Sequence, residues 1–499
     1  MVFQKWLFFF ALIFFVKCRH PILYEINVRP WLYELSKKYG KSITKLKDIP
    51  LSEFDYLKEN GIDIIWMMGI WQLGPYGLKF DKTIEYYSDF LPDWKEEDVI
   101  GSPYAITEYT CNPDIGTDDD LIWLRKEINK RGMKLMLDFV PNHSAIDAPT
   151  ATSNPKLYMR APSGTKDPSR YTDSGLAYGK DPYFDPWRDV IQWNYWEYET
   201  RKFMKDNLLT VLKYADAVRC DMAHLVLNDF FVKTWKSELD SWGYQRPSDE
   251  FWAYAFNEVK KKYPNAIFLA EVYEDWAIEL LHKLGFDYCY DKVLLDYFEK
   301  SAYEINNFIH YKTEDYWGHV AHFAENHDEN RIVFNMGGNI EKAKAAGTIA
   351  ATLGGMIFFN HGQFSGLKNK LDVHLRRGAS ESANTEVEKY YDTLLKIISD
   401  SAFKGSQYYF VYNMSGDRAS DFIAYIREDG NSHYLIVVNY QQYYGCAEVP
   451  IYNINGSGTV KVKEMISNIE YNRNADTMKN PGLTVCLNGY QAQIFKYNY

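Results

Sequence analysis

Short apolar runs alternate with amphipathic stretches of helical period along most of the chain. Residues 23–28 and 62–68 have the apolar, β-branched character of buried strands, and residues 51–60 between them have a helical pattern that ends at Gly61. Further strands are predicted at 134–140, 215–220, 266–270, 322–324 and 356–360, with helix-like stretches such as 118–131 between them. Strand–helix alternation at this spacing is typical of a parallel sheet. The pattern therefore predicts either a doubly wound sheet or a (β/α)8 barrel.

Two changes of pattern divide the chain. Residues 144–193 are rich in Pro, Gly, Ser, Asp and Tyr, and a stretch this long between two parts of the α/β unit, 21–143 and 194–398, is typical of either a functional loop or a small inserted domain. From about residue 401 the apolar period shortens to two, and antiparallel strands are predicted at 408–412, 422–427, 434–439, 459–463 and 492–497. Residues 401–499 are therefore predicted to form a separate all-β domain.

Residues 1–18 have the pattern of a signal peptide. Lys5 precedes an unbroken apolar run, 6–16, which is shorter than the roughly 20 residues that a membrane-spanning helix needs. Cleavage after Cys18 is favoured over an uncleaved anchor, and lipidation of Cys18 is disfavoured because Lys17 precedes it. We therefore expect a protein that is secreted or held in the endomembrane lumen, with no membrane attachment after cleavage.

Two further features depend on that compartment. Five cysteines lie beyond the signal peptide, so at least one thiol is unpaired, and only Cys446 and Cys486 are plausible local partners for a disulfide. Asn413 and Asn455 begin glycosylation sequons, which have meaning only in a secretory protein.

Charge and composition exclude several classes of partner and cofactor. The chain has 56 basic and 67 acidic residues and no basic run, so neither nucleic acid nor an anionic membrane surface is an expected partner. No glycine-rich phosphate-binding loop follows a predicted strand, which leaves a nucleotide site unsupported. Aromatic residues make up 17% of the chain, and this fits either a large aromatic core or a site that stacks against sugar rings.

Ionisable side chains lie at the carboxyl ends of four of the predicted strands. The segments are Asp138 to His143, Arg219 to Asp221, Glu271, and Asn326 to Asp328. In a parallel barrel the carboxyl ends of all strands open onto one face. One such carboxylate is more often a helix cap or half of an ion pair, but four segments together favour a shared polar cavity. The sequence therefore predicts a site that these four segments form together.

The two best-placed carboxylates have the properties that cleavage of a glycosidic bond requires. One carboxylate must be ionised to attack or stabilise the anomeric carbon, and the other must hold a proton for the leaving oxygen. Asp221 lies two residues after Arg219, so both share a strand face and the guanidinium favours the ionised carboxylate. Glu271 follows four apolar residues, so a dry setting is expected to raise its pKa.

Taken together, these segments resemble the four signature regions of the α-amylase superfamily, glycoside hydrolase family 13. The resemblance covers about residues 24–360. It implies an α/β fold, a (β/α)8 TIM barrel with a small inserted domain after the third strand and a C-terminal antiparallel β-sandwich domain, and a retaining mechanism on α-glucosidic bonds. It also implies that Asp221 is the nucleophile, Glu271 the general acid/base, and Asp328 the carboxylate that grips sugar hydroxyls in the transition state.

The resemblance extends to residues around this trio. Arg219 is expected to orient Asp221, His143 and His327 to bond the sugar that is cleaved, and Tyr104 to stack beneath that sugar. Asp138 and Arg331 match supporting positions. No cofactor is required by this chemistry and no metal site is predicted. Ca²⁺ is possible in such proteins, with Asn142 as the family-matched ligand, while the nearby loop acids are better explained as solvated side chains: Asp147, Asp173, Asp181 and Asp185.

Departures from the family pattern bear on the substrate. Two positions where endo-acting members commonly have Lys and His are here His224 and Leu225. This weakens the case for an extended aglycone site, and aromatic residues of the inserted segment could wall off the cleft: Tyr158, Tyr171, Tyr178, Tyr183 and Trp187. The expected substrate is an α-glucan or α-gluco-oligosaccharide, with short α-glucosides or chain ends preferred over internal bonds.

Two alternatives stay open. A transglycosylase or phosphorylase would use the same three carboxylates and would differ in what reaches the intermediate. A non-catalytic, amylase-like binding subunit belongs to another class. Such proteins resemble amylases but have a spanning helix and degraded catalytic positions, whereas this chain has every catalytic residue.

Overall fold

Eight parallel strands close into a barrel in the computed structural model, which describes residues 19–405, 408–430 and 432–498. The barrel strands are β1 Ile22–Asn27, β2 Ile64–Met68, β3 Lys134–Phe139, β4 Ala217–Cys220, β5 Ile267–Ala270, β6 Tyr288–Tyr290, β7 Val320–His322 and β8 Met356–Asn360. Each strand pairs with the next in sequence, and β8 pairs with β1. The barrel is confirmed over the doubly wound sheet, and the predicted signal peptide lies outside the described residues.

One barrel strand has no counterpart among the predicted runs. β6 is only three residues long, and its sequence Tyr-Cys-Tyr lies between two aspartates rather than in an apolar run. β7 ends at His322, where the predicted strand 322–324 begins, although Phe323 and Ala324 beyond it are also buried. Residues beyond the last paired position are still buried, so the apolar run marks buried chain and does not give the bounds of the paired strand.

Helices connect the strands and form the outer layer. Between β1 and β3 these are Val28–Tyr39, Leu51–Glu59, Pro75–Asp81, Tyr87–Phe90 and Asp118–Lys130. Between β3 and β6 they are Pro149–Ser153, Tyr198–Tyr214, Asn228–Trp242, Phe251–Lys262 and Asp275–Leu284. Beyond β6 they are Lys292–Tyr297, Ala302–Tyr311, Glu314–Gly318, Ile332–Asn335, Ile340–Thr352, Thr385–Ile398 and Ser401–Lys404, while the short helix Ala475–Thr477 lies in the C-terminal domain. None of the helices in the described ranges is long and apolar enough to cross a membrane.

Local sequence explains how the helix before β3 begins. Thr117 caps it by accepting a hydrogen bond from the Asp120 backbone N–H at 3.3 Å, while the Asp120 side chain accepts from the Thr117 backbone N–H at 2.9 Å. Three aspartates in the first turn also favour the positive end of the helix dipole.

Short sheets lie in two excursions from the barrel. After β3, strands His143–Ala145, Tyr178–Gly179 and Trp187–Gln192 form an antiparallel sheet with the last of these in the middle. This is the small inserted domain after the third strand. After β2, strands Trp71–Leu73 and Ile106–Cys111 pair antiparallel in a second excursion.

A buried carboxylate joins the β2–β3 excursion to the loop that follows β8. Asp98 accepts hydrogen bonds from Arg376 Nε at 3.1 Å, Arg377 Nε at 3.0 Å and Arg377 Nη2 at 2.9 Å. Val99 pairs with Leu375 beside it, and both belong to a small apolar cluster with Tyr87. We call this contact the Asp98 clamp, and it makes a wall on the carboxyl-terminal side of the barrel.

The C-terminal part is an all-β domain, as predicted. One sheet has the strand order Tyr408–Phe410, Phe422–Asp429, Ser432–Asn439, Ala492–Asn498, Thr459–Glu464 and Ile469–Asn474, and Gly445–Val449 pairs with Leu483–Leu487 in a second. Alternate side chains of one strand face in opposite directions: Ile423 and Tyr425 pack in the barrel core, while Phe422 and Ala424 pack inside the domain.

Two covalent or charged contacts fix this domain. Cys446 and Cys486 lie opposite each other on paired strands and form a disulfide, while the other described cysteines are free and buried. Arg427, fully buried, donates from Nη2 to the carbonyl oxygens of Ala402 at 3.1 Å, Phe403 at 3.2 Å and Gly405 at 2.5 Å. These carbonyls lie in the helix Ser401–Lys404 and at Gly405 directly after it, so Arg427 joins the barrel part to the C-terminal domain.

Candidate active site

A single buried guanidinium lies between three carboxylates at the carboxyl ends of β3, β4 and β5. Arg219 Nη1 lies 2.7 Å from Asp221 Oδ1 and 3.3 Å from Asp138 Oδ1, and Nη2 lies 2.7 Å from Glu271 Oε2. Arg219 is completely buried, as are most of the atoms of its partners. Nη1 donates a hydrogen bond to Asp221, and Nη2 forms an ion pair with Glu271, so the guanidinium charge lies between the two carboxylates.

Burial and the guanidinium act in opposite directions on Asp221. Burial raises the pKa of Asp221 above its ordinary value, and the negative charge of Asp138 adds to that, while Arg219 lowers it. The expected contact with Arg219 is present, but desolvation is the larger effect.

Glu271 has the pKa of a group that can both give and take a proton near neutrality. Burial raises the pKa of Glu271 to about 7, the Asp221 and Asp328 charges adding to this and Arg219 opposing it. Tyr273 donates from its hydroxyl to Oε1 at 2.9 Å, and the Met222 backbone N–H donates to Oε2 at 2.7 Å. The direction agrees with the dry setting that the apolar run before Glu271 predicts.

Backbone conformation after Asp221 makes one of these bonds possible. Met222 adopts φ 40°, in the left-handed region that few residues other than glycine enter. In this conformation the Met222 N–H points at Glu271, so a strained backbone residue next to Asp221 helps to position Glu271.

His327 lies between two carboxylates and beneath an aromatic ring. Its Nε2 lies 3.0 Å from Asp328 Oδ2 and 2.7 Å from the Tyr104 hydroxyl, and its Nδ1 lies 2.5 Å from Glu25 Oε1. Burial lowers the pKa of His327, but Asp328 and Glu25 outweigh it and raise the pKa to about 10. Desolvation in turn raises the pKa of Asp328, and the charge of His327 overcomes this and lowers it.

Tyr104 packs against His327 and Arg219, whereas Asp328 faces the cleft. The Tyr104 ring stacks on His327 with centroids 5.6 Å apart and lies 5.3 Å from the Arg219 guanidinium. The Asp328 side chain is 40% exposed, so it faces the open cleft while its partner His327 is buried. The geometry suits a role for Asp328 in which His327 holds the carboxylate in place while it accepts hydrogen bonds from ligand hydroxyls.

Glu25, at the end of β1, is a site residue that the sequence pattern did not single out. Its carboxylate is buried, with Oε1 against His327 and no hydrogen bond within the described structure to Oε2. A lone acid inside an apolar strand was the available signal, since a buried carboxylate needs a partner.

The remaining predicted residues lie around this centre. Asp138 accepts from Trp66 Nε1 at 2.9 Å, and burial raises its pKa to about 6. His143 is buried, contacts the Trp187 ring at 5.4 Å, and has its pKa lowered to about 4 by burial, so it is neutral. Arg331 lies one layer away, donating to Glu325 Oε1 and to the His361 carbonyl oxygen, both at 2.7 Å.

The donors around Asn142 do not match a calcium shell. Its side-chain oxygen accepts from Gln192 Nε2 at 3.0 Å. Asp147 and Asp181 accept from backbone N–H groups of their own turns or of neighbouring chain, while Asp173 and Asp185 are exposed. The 6–8 oxygen ligands of Ca²⁺ are therefore not assembled from these residues.

Aromatic residues of the inserted segment separate into core and cleft. Tyr158, Tyr171 and Tyr178 are buried and so do not wall the cleft, and the first two pack in the same apolar core as the barrel. Tyr183 is exposed and donates to Glu274, whose neighbour Trp276 stacks on Phe230 with centroids 5.7 Å apart. Leu225 and His224, the two departures, are both buried.

Comparisons with known proteins agree with this geometry. A family model described as the α-amylase catalytic domain matches residues 40–407. Alpha-amylase 2 of Dictyoglomus thermophilum is 23% identical over 452 residues, which is 85% of this chain and 67% of that protein. A cyclomaltodextrinase of Geobacillus thermopakistaniensis is 22% identical over 447 residues, 87% of this chain and 68% of that protein. The chain thus spans about two thirds of the length of these relatives.

Solved structures show the same fold. The maltogenic α-amylase AmyB of Thermotoga neapolitana superposes with a TM-score of 0.70 at 20% identity, covering 96% of this chain and 99% of that one. An α-amylase of Geobacillus thermoleovorans, solved with acarbose, gives a TM-score of 0.68 at 18% identity over 96% and 98% of the two chains.

Proposed function

The chain belongs to the α-amylase family of glycoside hydrolases, and from this premise we propose that it cleaves α-glucosidic bonds by a retaining double displacement. The substrate class is an α-glucan or a short α-gluco-oligosaccharide. One observation carries the proposal: Arg219 holds Asp221 and Glu271 on its two terminal nitrogens, each at 2.7 Å.

The three carboxylates then have different roles in the reaction. Asp221 attacks the anomeric carbon as the glycosidic bond breaks, and Glu271 gives its proton to the leaving oxygen. Glu271, now ionised, takes a proton from the incoming water, whose oxygen displaces Asp221 and regenerates both groups. A pKa of about 7 suits both directions of proton transfer. Asp328, fixed by His327, accepts hydrogen bonds from sugar hydroxyls that strengthen in the transition state.

The anomer released first tests this mechanism. Two displacements keep the α configuration, so NMR of fresh product from an α-glucoside is expected to show the α anomer first. An initial β anomer would mean a single displacement, and the roles of Asp221 and Glu271 would then be wrong. Running the reaction with an excess of acceptor sugar separates hydrolysis from transfer, since a transglycosylase accumulates longer products.

We also propose a preference for short α-glucosides or chain ends. The Asp98 clamp closes one side of the carboxyl-terminal face, and exposed Tyr183 stands on another. Initial rates on maltose, maltotriose and soluble starch are expected to favour the short substrates. A rapid fall in starch viscosity with little small sugar released would indicate an endo mode and overturn this preference.

Secretion is a further proposal, and the disulfide supports it. A bond between Cys446 and Cys486 is stable in an oxidising compartment and rare in the cytosol. Both sequon asparagines, Asn413 and Asn455, are exposed, as glycosylation requires. N-terminal sequencing of the mature protein is expected to begin after Cys18, whereas an intact Met1 in a cytosolic protein would contradict it.

A further inference from the structure

Two histidines and an aspartate meet at the amino-terminal end of the barrel, away from the cleft. His282 lies in the last turn of the helix that follows β5, Asp315 lies in the short helix Glu314–Gly318 before β7, and His319 directly follows that helix. One potential ligand atom from each residue lies within 4.8 Å of the other two. They border an open cavity of about 860 Å³ whose other walls include the starting residues of several barrel strands.

Hydrogen bonds to the backbone fix which nitrogen of each ring carries a proton. His282 Nδ1 lies 3.2 Å from the Phe286 carbonyl oxygen, and His319 Nδ1 lies 3.4 Å from the carbonyl oxygen of the next residue, Asp287. A carbonyl oxygen only accepts, so both Nδ1 atoms must donate. In a neutral imidazole this leaves the lone pair on Nε2, on the side of each ring away from the two carbonyls.

The arrangement brings acceptors together. The two rings stack with centroids 3.3 Å apart, and His319 Nε2 lies 3.5 Å from Asp315 Oδ1. Lone pairs and a carboxylate in one place repel each other unless a cation lies among them.

We propose that His282, Asp315 and His319 form a binding site for one divalent transition-metal ion such as Zn²⁺. Imidazole nitrogens and a carboxylate oxygen are ligands that Zn²⁺ accepts, and water can complete the shell. The two Nδ1–H donations to backbone carbonyls are the contacts that orient metal-binding histidines in proteins. The Asp315 side chain is 79% exposed and that of His319 32%, so an ion can enter from solvent.

Such a site would act on stability rather than on catalysis. An ion bound here joins the end of the helix after β5 to the turn before β7. The unfolded chain does not hold these three groups together, so metal binding is expected to stabilise the folded protein.

Zn²⁺ titration of the chelator-treated, tag-free protein tests the site. Calorimetry is expected to show one tight Zn²⁺ per chain, and Co²⁺ absorption bands are expected to report nitrogen ligands. H282Q and H319Q should each weaken binding by about 10–100-fold or more, the scale on which even outer-shell losses act, and D315N should weaken it less. H310Q, a histidine outside the cluster, serves as the matched control.

The variants keep the proposal open to refutation even if one folds poorly. D315N changes an exposed side chain, and circular dichroism checks each fold before titration. Wild-type protein that takes up no Zn²⁺ at micromolar free metal would overturn the proposal. Equal Zn²⁺ affinity in wild type and in H282Q/H319Q would do the same, because the bound ion would then lie elsewhere. A rise in melting temperature with Zn²⁺ in wild type and H310Q alone supports it.

Discussion

Arg219 and Arg427 are both completely buried, yet their surroundings are opposite in kind. Arg219, in the cleft, faces the carboxylates of Asp138, Asp221 and Glu271. Arg427, where the barrel meets the C-terminal domain, donates to backbone carbonyl oxygens at the end of the helix Ser401–Lys404.

The pKa of each arginine reflects the difference. Burial lowers the pKa of Arg219, but Glu271 and its other neighbours outweigh this and raise the pKa well above its ordinary value. Burial lowers the pKa of Arg427 to about 10, since only tyrosines oppose it. A buried charge can thus hold reacting groups in place or satisfy the last carbonyls of a helix, and only the first use points to chemistry.

Removing the attacking carboxylate is expected to give the largest effect. Asp221→Asn keeps the shape of the side chain but removes the nucleophile, so turnover should fall by about 10⁴-fold or more, as for other covalent catalysts. Thermal unfolding should change little, because the Arg427 junction does not depend on the carboxylates of the cleft. A variant that retains a tenth of wild-type turnover would remove Asp221 from this role.

Glu271→Gln separates proton transfer from positioning. With a glucoside whose leaving group needs a proton, the loss should be about 10²–10⁴-fold, the usual contribution of general acid catalysis. With α-glucosyl fluoride, whose leaving group needs none, the loss in the first step should be much smaller. In wild type, turnover of ordinary glucosides should fall as the pH rises through about 7, where Glu271 loses its proton. Equal losses on both substrates would contradict the acid role.

The matched pair Arg219→Lys and Arg427→Lys tests the comparison directly. A lysine presents one compact ammonium in place of two terminal nitrogens at a fixed spacing, so Arg219→Lys should lower kcat/KM by about 10²-fold, or 2.7 kcal/mol of transition-state stabilisation. Arg427→Lys should leave kcat/KM unchanged and lower the free energy of unfolding by about 1–3 kcal/mol through unsatisfied carbonyls. Urea unfolding and kinetics on both variants decide this, and similar profiles would show that the two arginines serve one purpose.

Glu25→Gln should have the smallest effect, and one that depends on pH. The charges of Glu25 and Asp328 raise the pKa of His327 to about 10, so this histidine stays protonated through neutral pH. Without the Glu25 charge that pKa falls, and the imidazolium beside Asp328 is lost at a lower pH. Asp138, Tyr104 and Arg219 also face this region and are unchanged.

The expected result for Glu25→Gln is a kcat/KM near wild type in mild acid and about tenfold lower in alkaline solution, which is one pKa unit of lost interaction. α-Glucosyl fluoride is the suitable substrate, since it removes the alkaline decline due to Glu271. Glu34→Gln is the control, because Glu34 contacts His361 at 2.8 Å outside the catalytic group. A pH profile identical to wild type would show that Glu25 is only a filler of space.

The local sequence pattern predicts most of the fold but few of the contacts between residues that are distant in sequence. Strands such as β2 are buried throughout, so an apolar run identifies them. The carboxyl ends of β3, β4 and β5 likewise identify Asp138, Asp221 and Glu271 as candidate site residues. Glu25 is different, because its partner His327 is 302 residues away and no local signal pairs them. Three-residue β6 likewise has no period of its own and depends on its neighbours in the closed sheet.

Charge sign and backbone detail were also beyond the pattern. The proximity of Arg219 to Asp221 follows from their spacing, but the net direction of the Asp221 pKa depends on how completely the site is buried. The left-handed backbone at Met222 is not marked by a glycine in the sequence, and the contact of its N–H with Glu271 joins residues 49 positions apart.

The Asp98 clamp places the completion of the cleft late in the life of a newly made chain. Asp98 must wait for Arg376 and Arg377, which follow it by 278 and 279 residues, and both reach it only from the loop after β8. Contacts between positions so far apart in sequence cost more in loop closure than local contacts and form more slowly. During synthesis the barrel strands are therefore all available before this wall can assemble. Only the completely folded chain would then hydrolyse sugars, and a truncated or incompletely closed barrel would be inactive.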